Sequence, residues 1–312
     1  MVIDKKIVPA LEIKDLKKVY RNGLEALKKI NLTVMPGDFY ALLGKNGAGK
    51  STTIGVLTSL IKKTSGEIYI DGLAFEQNLL VSKLKIGVVP QEFNFNAFEK
   101  VENILINQAL YYGVGINTAK QRAELLLKKM DLWHKKNVGA RQLSGGMKRR
   151  MMIARALMHS PSILILDEPT AGVDIEIRQA MWQFLKEENQ KGLTIILTTH
   201  YLEEAEQLYN KVAIIDQGEI KVDTTKRELL KQLEQETLVL QICGQTEDLN
   251  LSGAEYVIRK IDDQHLEIDL SKTQSLQSVV MFFKSRNIEI YRAWSKSNRL
   301  EQLFMGWVDK KN

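Results

Sequence analysis

The nine residues GKNGAGKST, at 44–52, limit the fold of this chain more than any other stretch. They fit the pattern G-x-x-x-x-G-K-[S/T] and lie between an apolar run, FYALL, and a segment with a helical pattern. Glycines allow backbone N–H groups to converge on phosphate oxygens, and the N-terminus of the next helix adds partial positive charge. The stretch therefore predicts a strand, a phosphate-binding loop and a helix in succession.

Two side chains of this loop have chemistry of their own. Lys50 is placed to reach the β and γ phosphates of a nucleotide, and the Ser51 hydroxyl to ligate magnesium. We expect the other nucleotide contacts of this region to come from Gly44, Asn46, Gly47, Ala48, Gly49 and Thr52.

Carboxylates follow a second buried strand. The apolar run ILILD ends at Asp167, and Glu168 comes next. A charge pair at a strand end is often a solvated terminus or a helix cap, but the phosphate loop upstream favours a catalytic interpretation. We expect Asp167 to hold magnesium through water and Glu168 to polarise the attacking water, a role typically worth about 10² to 10⁴ in rate.

Polar side chains also close two other predicted strands. Ligands gather at the carboxyl ends of the strands in open parallel sheets. His200 closes TIILTTH, so we expect it to sense the γ-phosphate. Gln91 follows VVP and is expected to meet magnesium or the lytic water. The other histidines are expected to be structural: His134, His159 and His265.

Two further features have weaker local signals. Tyr20 ends a predicted strand, where an aromatic side chain either packs on the sheet or, beside a phosphate loop, forms a platform for stacking the nucleotide base. The stretch RQLSGGMKRR, at 141–150, repeats the combination of a hydroxyl, glycines and a helix start. The stretch therefore looks like a second phosphate-binding loop. It contains no acid, base or metal ligand, so its own residues predict no catalytic step.

Together these residues resemble the nucleotide-binding subunit of an ABC transporter. In order, the chain shows Tyr20 as the base-stacking aromatic, GKNGAGKS as Walker A, Gln91 as the Q-loop, LSGGM as the signature, ILILDE as Walker B, AGVD as the D-loop and His200 as the switch histidine. These motifs span residues 10 to about 223, roughly 70% of the chain. The finer pattern, PQEFNFNAF, SGGMKRR and a closing RLEQLF, is similar to the type-2 ABC exporter family, in its YadG-type branch.

The resemblance implies a fold and a mechanism. The fold class is α/β: a P-loop NTPase core with an antiparallel β-subdomain and a helical subdomain at about 92–150. Two subunits of such ATPases pack head to tail, with ATP and Mg²⁺ between the Walker A loop of one and the signature of the other. On the signature side, the resemblance assigns Ser144, Gly145 and Gly146, and it places Asp174 of the D-loop at the same dimer seam.

Two positions depart from the common pattern of that family. Met147 stands where many members carry glutamine. Since the anion contacts come from Ser144 and the glycines, we expect activity to survive. The D-loop reads AGVD and not the common SGLD, so a serine hydroxyl is missing near the seam.

A membrane partner is also implied. The longest apolar runs are about five residues, far below the roughly 20 that cross a bilayer, so the transporter interpretation requires a separate integral membrane permease. A cytoplasmic helix of such a permease docks near the Q-loop, where Phe93, Phe95 and Phe98 form either subdomain core or the floor of the docking groove. We expect a homodimer held by its permease at the inner face of the cell membrane, with no nucleic-acid partner.

Two other classes of protein remain as alternatives. Soluble ABC ATPases that act on ribosomes or DNA carry two cassettes on one chain or a long coiled-coil insertion, whereas this chain has one uninterrupted cassette. A phosphate-loop GTPase requires an N-K-x-D motif, which the sequence lacks. The net charge of +6 is spread along the chain in lysine pairs, which favours a solvated surface.

The sequence pattern changes near residue 223. Before it, short buried strands alternate with helices, and the last of these predicted strands is KVAIIDQGEI. This alternation indicates a mostly parallel sheet with helices on its faces, and we assign residues 1–223 to the ATP-binding domain. Residues 224–312 read as a small α+β accessory domain with two amphipathic helices. These helices are expected to bury Leu276, Val279, Val280, Phe283, Leu300, Leu303, Phe304 and Trp307.

The remaining composition points to a reducing compartment. The single cysteine, Cys243, excludes an internal disulfide and is expected to be a small buried apolar side chain. The N-terminus has basic residues but no apolar segment followed by a cleavage site, so we expect a cytoplasmic protein.

Overall fold

The computed structural model describes residues 7–199, 201, 204, 207–231, 235–243, 254–271 and 273–296. Backbone contacts divide the chain into two units, Met1–Thr225 and Lys226–Asn312. The boundary predicted after residue 223 lies two residues before this division.

Strands and helices alternate through the first unit. Its described strands are β1 (Leu11–Val19), β2 (Glu25–Val34), β3 (Phe39–Leu43), β4 (Ser65–Ile70), β5 (Leu73–Ala74), β6 (Ile86–Val89), β7 (Ile163–Asp167), β8 (Thr194–Thr199), β9 (Lys211–Asp216) and β10 (Glu219–Thr225). Its described helices include α1 (Lys50–Leu57), α2 (Leu79–Leu84), α3 (Val101–Tyr111), α4 (Ile116–Lys129), α5 (Gly145–Ala156) and α6 (Ile175–Gln190), with 3-10 turns at Trp133–Lys135 and Ala140–Gln142.

A six-stranded sheet carries the predicted motifs, in the order β10-β9-β3-β8-β7-β6. All neighbouring pairs from β9 to β6 are parallel, and β10 is antiparallel to β9. Strands β3 and β7 are buried along their whole length, as expected for central strands covered on both faces. This arrangement brings the carboxyl ends of β3, β7 and β8 to one edge of the sheet.

The central sheet has a hydrophobic core on each face. Successive side chains of a strand point to opposite faces, so Leu164 and Leu166 of β7 join one core while Ile163 and Ile165 join the other. The first core is completed by side chains of α3, α4, α5 and α6, and the second by β1, β2, β4 and α1. Each fully buried Leu or Ile contributes about 1.5–3 kcal/mol relative to an exposed one.

A second sheet of the first unit is antiparallel, with the order β2-β1-β4-β5. A turn that contains Gly23 joins β1 to β2, and this glycine has a φ of 83°. The predicted helical subdomain follows β6 and contains α3 and α4. The α/β class, with an antiparallel sheet and a helical segment, is therefore confirmed.

One segment of the central sheet differs from the sequence-based prediction. KVAIIDQGEI was predicted as one strand, but β9 ends at Asp216 and β10 begins at Glu219. Between them Gln217 and Gly218 have φ values of 47° and 79°. A two-residue hairpin turn of type I′ has positive φ at both central positions, and glutamine is not a residue that signals such a turn.

The second unit is a small α+β structure. It contains a helix at Lys226–Lys231, strands β11 (Gln235–Ile242), β12 (Val257–Lys260), β13 (His265–Ser271) and β14 (Ile290–Ser295), and a helix at Leu276–Lys284. Its sheet is antiparallel, in the order β12-β13-β11-β14. Val279 and Phe283 of the second helix pack on the sheet core with Leu240, Leu266 and Ile268.

Three burial predictions in this unit are wrong. Leu276 and Val280 are 46% and 41% exposed, because the helix packs on the sheet core through Val279, Phe282 and Phe283. Cys243 is exposed, since it follows the last residue of β11. The second predicted amphipathic helix, with Leu300, Leu303, Phe304 and Trp307, lies outside the described residues. Within the described part of the chain, no helix is long and apolar enough to cross a membrane.

Candidate active site

The phosphate loop connects β3 to α1 as predicted, and its backbone leaves little room for side chains. Gly47 and Gly49 have φ values of 82° and 118°, a region that residues with a Cβ rarely adopt. A Cβ on Gly44 would lie 2.5 Å from the carbonyl oxygen of Ile215. Gly218 donates its N–H to the carbonyl of Ala48 at 2.9 Å. The hairpin of β9 and β10 therefore packs against the phosphate loop.

Lys50 begins α1 and is only 5% exposed. Its Nζ donates to the carbonyl oxygen of Gly44 at 2.7 Å and lies 3.8 Å from Oε1 of Glu168. Burial lowers the pKa of Lys50, while the negative charges of Glu168 and Asp167 act in the opposite direction. The ammonium group is thus held beside the loop by carbonyls and a carboxylate, where it can meet an incoming phosphate.

Both predicted carboxylates lie at the carboxyl end of β7 and are 8% exposed. Asp167 accepts a hydrogen bond from the hydroxyl of Thr198 on β8. The N–H of Glu168 donates to the carbonyl oxygen of Thr198 at 3.0 Å and lies 3.2 Å from its hydroxyl. Glu168 has a φ of 46°, so the chain turns sharply as soon as the strand ends.

Gln91 joins this group from the segment after β6. Its Nε2 donates to Oε2 of Glu168 at 3.3 Å, while Oε1 of the same carboxylate faces Lys50. The structure therefore brings three predicted site residues, from the start of α1 and from the segments after β6 and β7, into one cluster. His200, predicted at the end of β8, lies outside the described residues.

Tyr20 lies beside the first turn of α1. Its hydroxyl is 3.3 Å from Oγ1 of Thr52, and Nζ of Lys18 is 4.9 Å from the centroid of its ring. The ring is half-buried. Two residues predicted from separate motifs, Tyr20 and Thr52, are thus in contact. Ser51 and Asn46 are exposed at the same end of α1.

The signature segment forms the N-terminus of α5. Ser144 is the N-cap residue, and its Oγ accepts from the N–H of Met147 at 3.3 Å. Ser144 and Gly145 are exposed, and a Cβ on Gly145 would meet no atom within 4 Å. Gly146 is buried, and a Cβ there would lie 2.7 Å from Cδ1 of Ile177 on α6. The starts of α5 and α6 are therefore adjacent at Gly146 and Ile177, and the exposed Asp174 is the N-cap residue of α6.

Two contributors to the site were missed at the sequence level. Thr198 is fully buried, and its hydroxyl contacts the carboxylate of Asp167 and the backbone N–H of Glu168; a hydroxyl inside the buried run TIILTT was the available signal. Glu204 is 1% exposed and accepts hydrogen bonds from Oγ1 of Thr170 at 2.9 Å and from Nε1 of Trp182 at 3.1 Å. Burial raises the pKa of Glu204. It connects the chain beyond β8 to the segment that follows Glu168.

Comparison with known proteins agrees with this geometry. A family model described as ABC transporter matches residues 27–171. The linearmycin resistance ATP-binding protein LnrL of Bacillus subtilis (strain 168) is 33% identical over 302 residues, which cover 95% of this chain and 97% of that protein. The Nod factor export ATP-binding protein I of Cupriavidus metallidurans is 37% identical over 221 residues, which cover 70% of this chain and 72% of that protein.

A solved structure shares the fold of the first unit. It is a dimeric ATP-binding cassette in a post-hydrolysis state bound to ADP and Pi, with a TM-score of 0.64 and 29% sequence identity. The match covers 69% of this chain and 98% of that chain.

The fold and the cluster of Lys50, Glu168 and Gln91 define a phosphate-loop ATPase. The chain belongs to the ABC transporter family, as its ATP-binding subunit. It hydrolyses ATP and uses Mg²⁺ as the accompanying metal. The predicted family and activity are confirmed.

Proposed function

We propose that two copies of this chain assemble head to tail around ATP and power a type-2 exporter through a separate permease. The observation that carries the proposal is the division of the site into two parts. Lys50, Glu168 and Gln91 meet inside the chain, whereas Ser144 and Gly145 are exposed at a helix N-terminus. A helix N-terminus with a hydroxyl and free N–H groups is suited to bind phosphate oxygens from a second molecule.

In this proposal the loop and its helix bind the nucleotide. Lys50 contacts the β and γ phosphates, and Tyr20 stacks against the base. The remaining loop contacts come from Gly44, Asn46, Gly47, Ala48, Gly49, Ser51 and Thr52. On the facing subunit, Ser144, Gly145 and Gly146 contact the γ-phosphate, with Asp174 at the seam.

The residues present suit a magnesium ion. Ser51, Asp167 and Gln91 offer a hydroxyl, a carboxylate and an amide oxygen, the donor types that Mg²⁺ prefers, usually with one or two carboxylates and the substrate phosphates. The amide nitrogen of Gln91 donates to Glu168, so the amide oxygen of Gln91 is the atom that would bind the metal. When bound, the ion neutralises charge on the phosphates.

Glu168 is proposed as the general base. It is placed between a donor, Gln91, and a cation, Lys50, which fixes the orientation of its carboxylate. From this position Glu168 accepts the proton of the attacking water, and His200 contacts the γ-phosphate. Thr198 holds the carboxylate of Asp167 and the backbone of Glu168 in position through its hydroxyl.

The permease contact is proposed at the segment after Gln91. Phe93 is 45% exposed and Phe98 77% exposed, whereas Phe95 packs against the helical core. The predicted trio therefore divides into one core residue and two residues available to a partner. Relatives are named for export and for resistance, which favours an exporter over an ATPase acting on nucleic acid. Through its permease, the chain is proposed to lie at the inner face of the cell membrane.

Affinity purification from detergent-solubilised membranes tests this function. We expect the tagged chain to recover an integral membrane protein, and Phe98→Ser to lower that recovery. Leu60→Ser is the matched control, because Leu60 is 83% exposed on another part of the unit. Recovery of ribosomes or DNA without an integral membrane protein would overturn the exporter proposal.

A further inference from the structure

Helix α5 reaches into the segment that contains Gln91. Arg149 is 4% exposed, and its Nη1 donates to the carbonyl oxygen of Pro90 at 2.8 Å while Nη2 donates to that of Gln91 at 2.8 Å. A guanidinium group is a rigid planar fork, so one side chain can bridge two successive carbonyls in a fixed geometry.

Breaking the hydrogen bonds of this buried guanidinium group is energetically costly. Burial lowers the pKa of Arg149, with Asp167 as the charge that opposes the shift, but an arginine stays protonated. A buried charge is costly unless it is hydrogen-bonded. The carbonyls of Pro90 and Gln91 are therefore expected to stay bonded to the guanidinium group when α5 moves. The centroid of the Phe93 ring lies 5.1 Å from Cζ of Arg149, which adds a cation–π contact. The segment is therefore attached to α5 at several atoms.

A second arginine of α5 extends the attachment. Nη1 of Arg155 donates to the carbonyl oxygen of Asn94 at 3.1 Å, and Nη2 donates to its side-chain oxygen. The residues that follow β6 thus depend on the position of α5 for their own position.

The same helix begins with the signature. Arg149 follows Gly146 by less than one helical turn, and Gln91 donates from the attached segment to Glu168. A continuous set of contacts therefore runs from the surface proposed to meet the partner's ATP to the general base of the chain itself.

We propose that Arg149 is a positioning residue that sets the side chain of Gln91 against Glu168 and makes this placement follow the signature helix. The inference rests on the role proposed for Gln91. Arg149 does not touch the nucleotide; it acts through the backbone of Pro90 and Gln91. Turnover, and not nucleotide binding, is the step that depends on it.

A double-mutant cycle on the full chain tests this role. Arg149→Met removes both donors and the charge, and we expect turnover to fall by about tenfold to a hundredfold, as small misplacements of catalytic groups do, with unchanged ATP affinity. Arg149→Lys keeps the charge but lacks the rigid planar fork that donates to the two carbonyls from separate nitrogens, and we expect its turnover to lie between those of the wild type and Arg149→Met. Gln91→Ala combined with Arg149→Met should turn over no more slowly than Gln91→Ala alone, because the arginine acts through the glutamine.

A matched control is available on α4. Nη1 of Arg122 donates to the carbonyl of Met158 at 3.0 Å, so Arg122→Met removes the same kind of bond away from Gln91, and turnover should be retained. The inference is overturned if the two losses multiply in the double variant, or if Arg122→Met lowers turnover as much as Arg149→Met. Wild-type turnover in Gln91→Ala would instead refute the role of Gln91. If Arg149→Met does not fold, the cycle with Arg149→Lys decides in the same way.

Discussion

The phosphate loop and the signature segment both place glycines at the N-terminus of a helix, yet their surroundings differ. Lys50, Asp167 and Glu168 are 5%, 8% and 8% exposed and are held by contacts within the chain. Ser144 and Gly145 are exposed, and the serine caps its own helix. The charged groups proposed to act in hydrolysis are buried and held by contacts within the chain, whereas the surface of α5 proposed to bind phosphate is exposed. Preorganised charge and an open second surface are what a site shared by two subunits needs.

The largest effect is expected in the buried half. Lys50→Ala removes the ammonium from Gly44 and Glu168 and leaves a buried carboxylate without its cation. Hydrogen bonds to charged groups are worth about 1.5–3 kcal/mol, so ATP affinity should fall about tenfold to a hundredfold, and turnover should be abolished. Equilibrium ATP binding and an ATPase assay measure both. Lys120→Ala, on the exposed side of α4, is the control. Wild-type hydrolysis by Lys50→Ala would refute the site.

The exposed half should respond differently. Gly145→Asp places a negative charge where a phosphate is proposed to bind, and no atom lies within 4 Å of its Cβ position. We expect turnover to be lost with ATP binding and thermal stability unchanged. Gly146→Asp is a poorer test of contact with the partner, because its Cβ would press on Ile177 and disturb the chain itself. Normal hydrolysis by Gly145→Asp would contradict the shared site.

A smaller effect is expected for the Thr198 hydroxyl, which contacts the carboxylate of Asp167 and the backbone N–H of Glu168. Thr198→Val keeps the shape of the side chain but removes the bond to Asp167. We expect turnover to fall about tenfold and half-saturation to require more Mg²⁺, since a misaligned ligand binds the metal less well. Thr194→Val, on the same strand, removes only the acceptor for Gly37 N–H and serves as the control. Equal Mg²⁺ dependence in the two variants would show that Thr198 does not position Asp167 for the metal.

The smallest effect concerns pH. Because burial raises the pKa of Glu204, the folded chain favours its protonated form. This stabilisation is present below the ordinary carboxyl pKa of about 4.3 and is lost as pH rises through the folded value. Glu204→Gln stays neutral, so its thermal midpoint should fall less than that of the wild type as pH rises. Parallel pH profiles of the two proteins would show that ionisation of Glu204 does not limit stability.

The sequence was most informative where function restricts residue type. Glycines at positive φ, a lysine at the start of a helix and carboxylates after an apolar strand predict the loop and β7, because few other structures use those residues in that order. The hairpin at Gln217 was not predictable, since glutamine at positive φ carries no turn signal. Exposure of Cys243 depends on where β11 ends, which apolar content does not specify.

Contacts between distant segments were beyond prediction. Thr198 and Arg149 reach Asp167 and Gln91 only because the sheet order and the packing of α5 bring them together. The division of the phenylalanines also follows from packing, because Phe95 turns inward while Phe93 and Phe98 stay exposed. Residue type identifies the groups that do chemistry, and the fold determines which groups position them.

The shared site is tested most directly by the oligomeric state of Glu168→Gln with ATP. The amide cannot accept a proton from water, so hydrolysis should stop while Lys50 still binds nucleotide. We predict that this variant elutes as a dimer in size-exclusion chromatography with ATP and as a monomer without it, and that adding Gly145→Asp returns it to a monomer that still binds ATP. A monomer at saturating ATP, or a dimer that survives Gly145→Asp, would contradict the account.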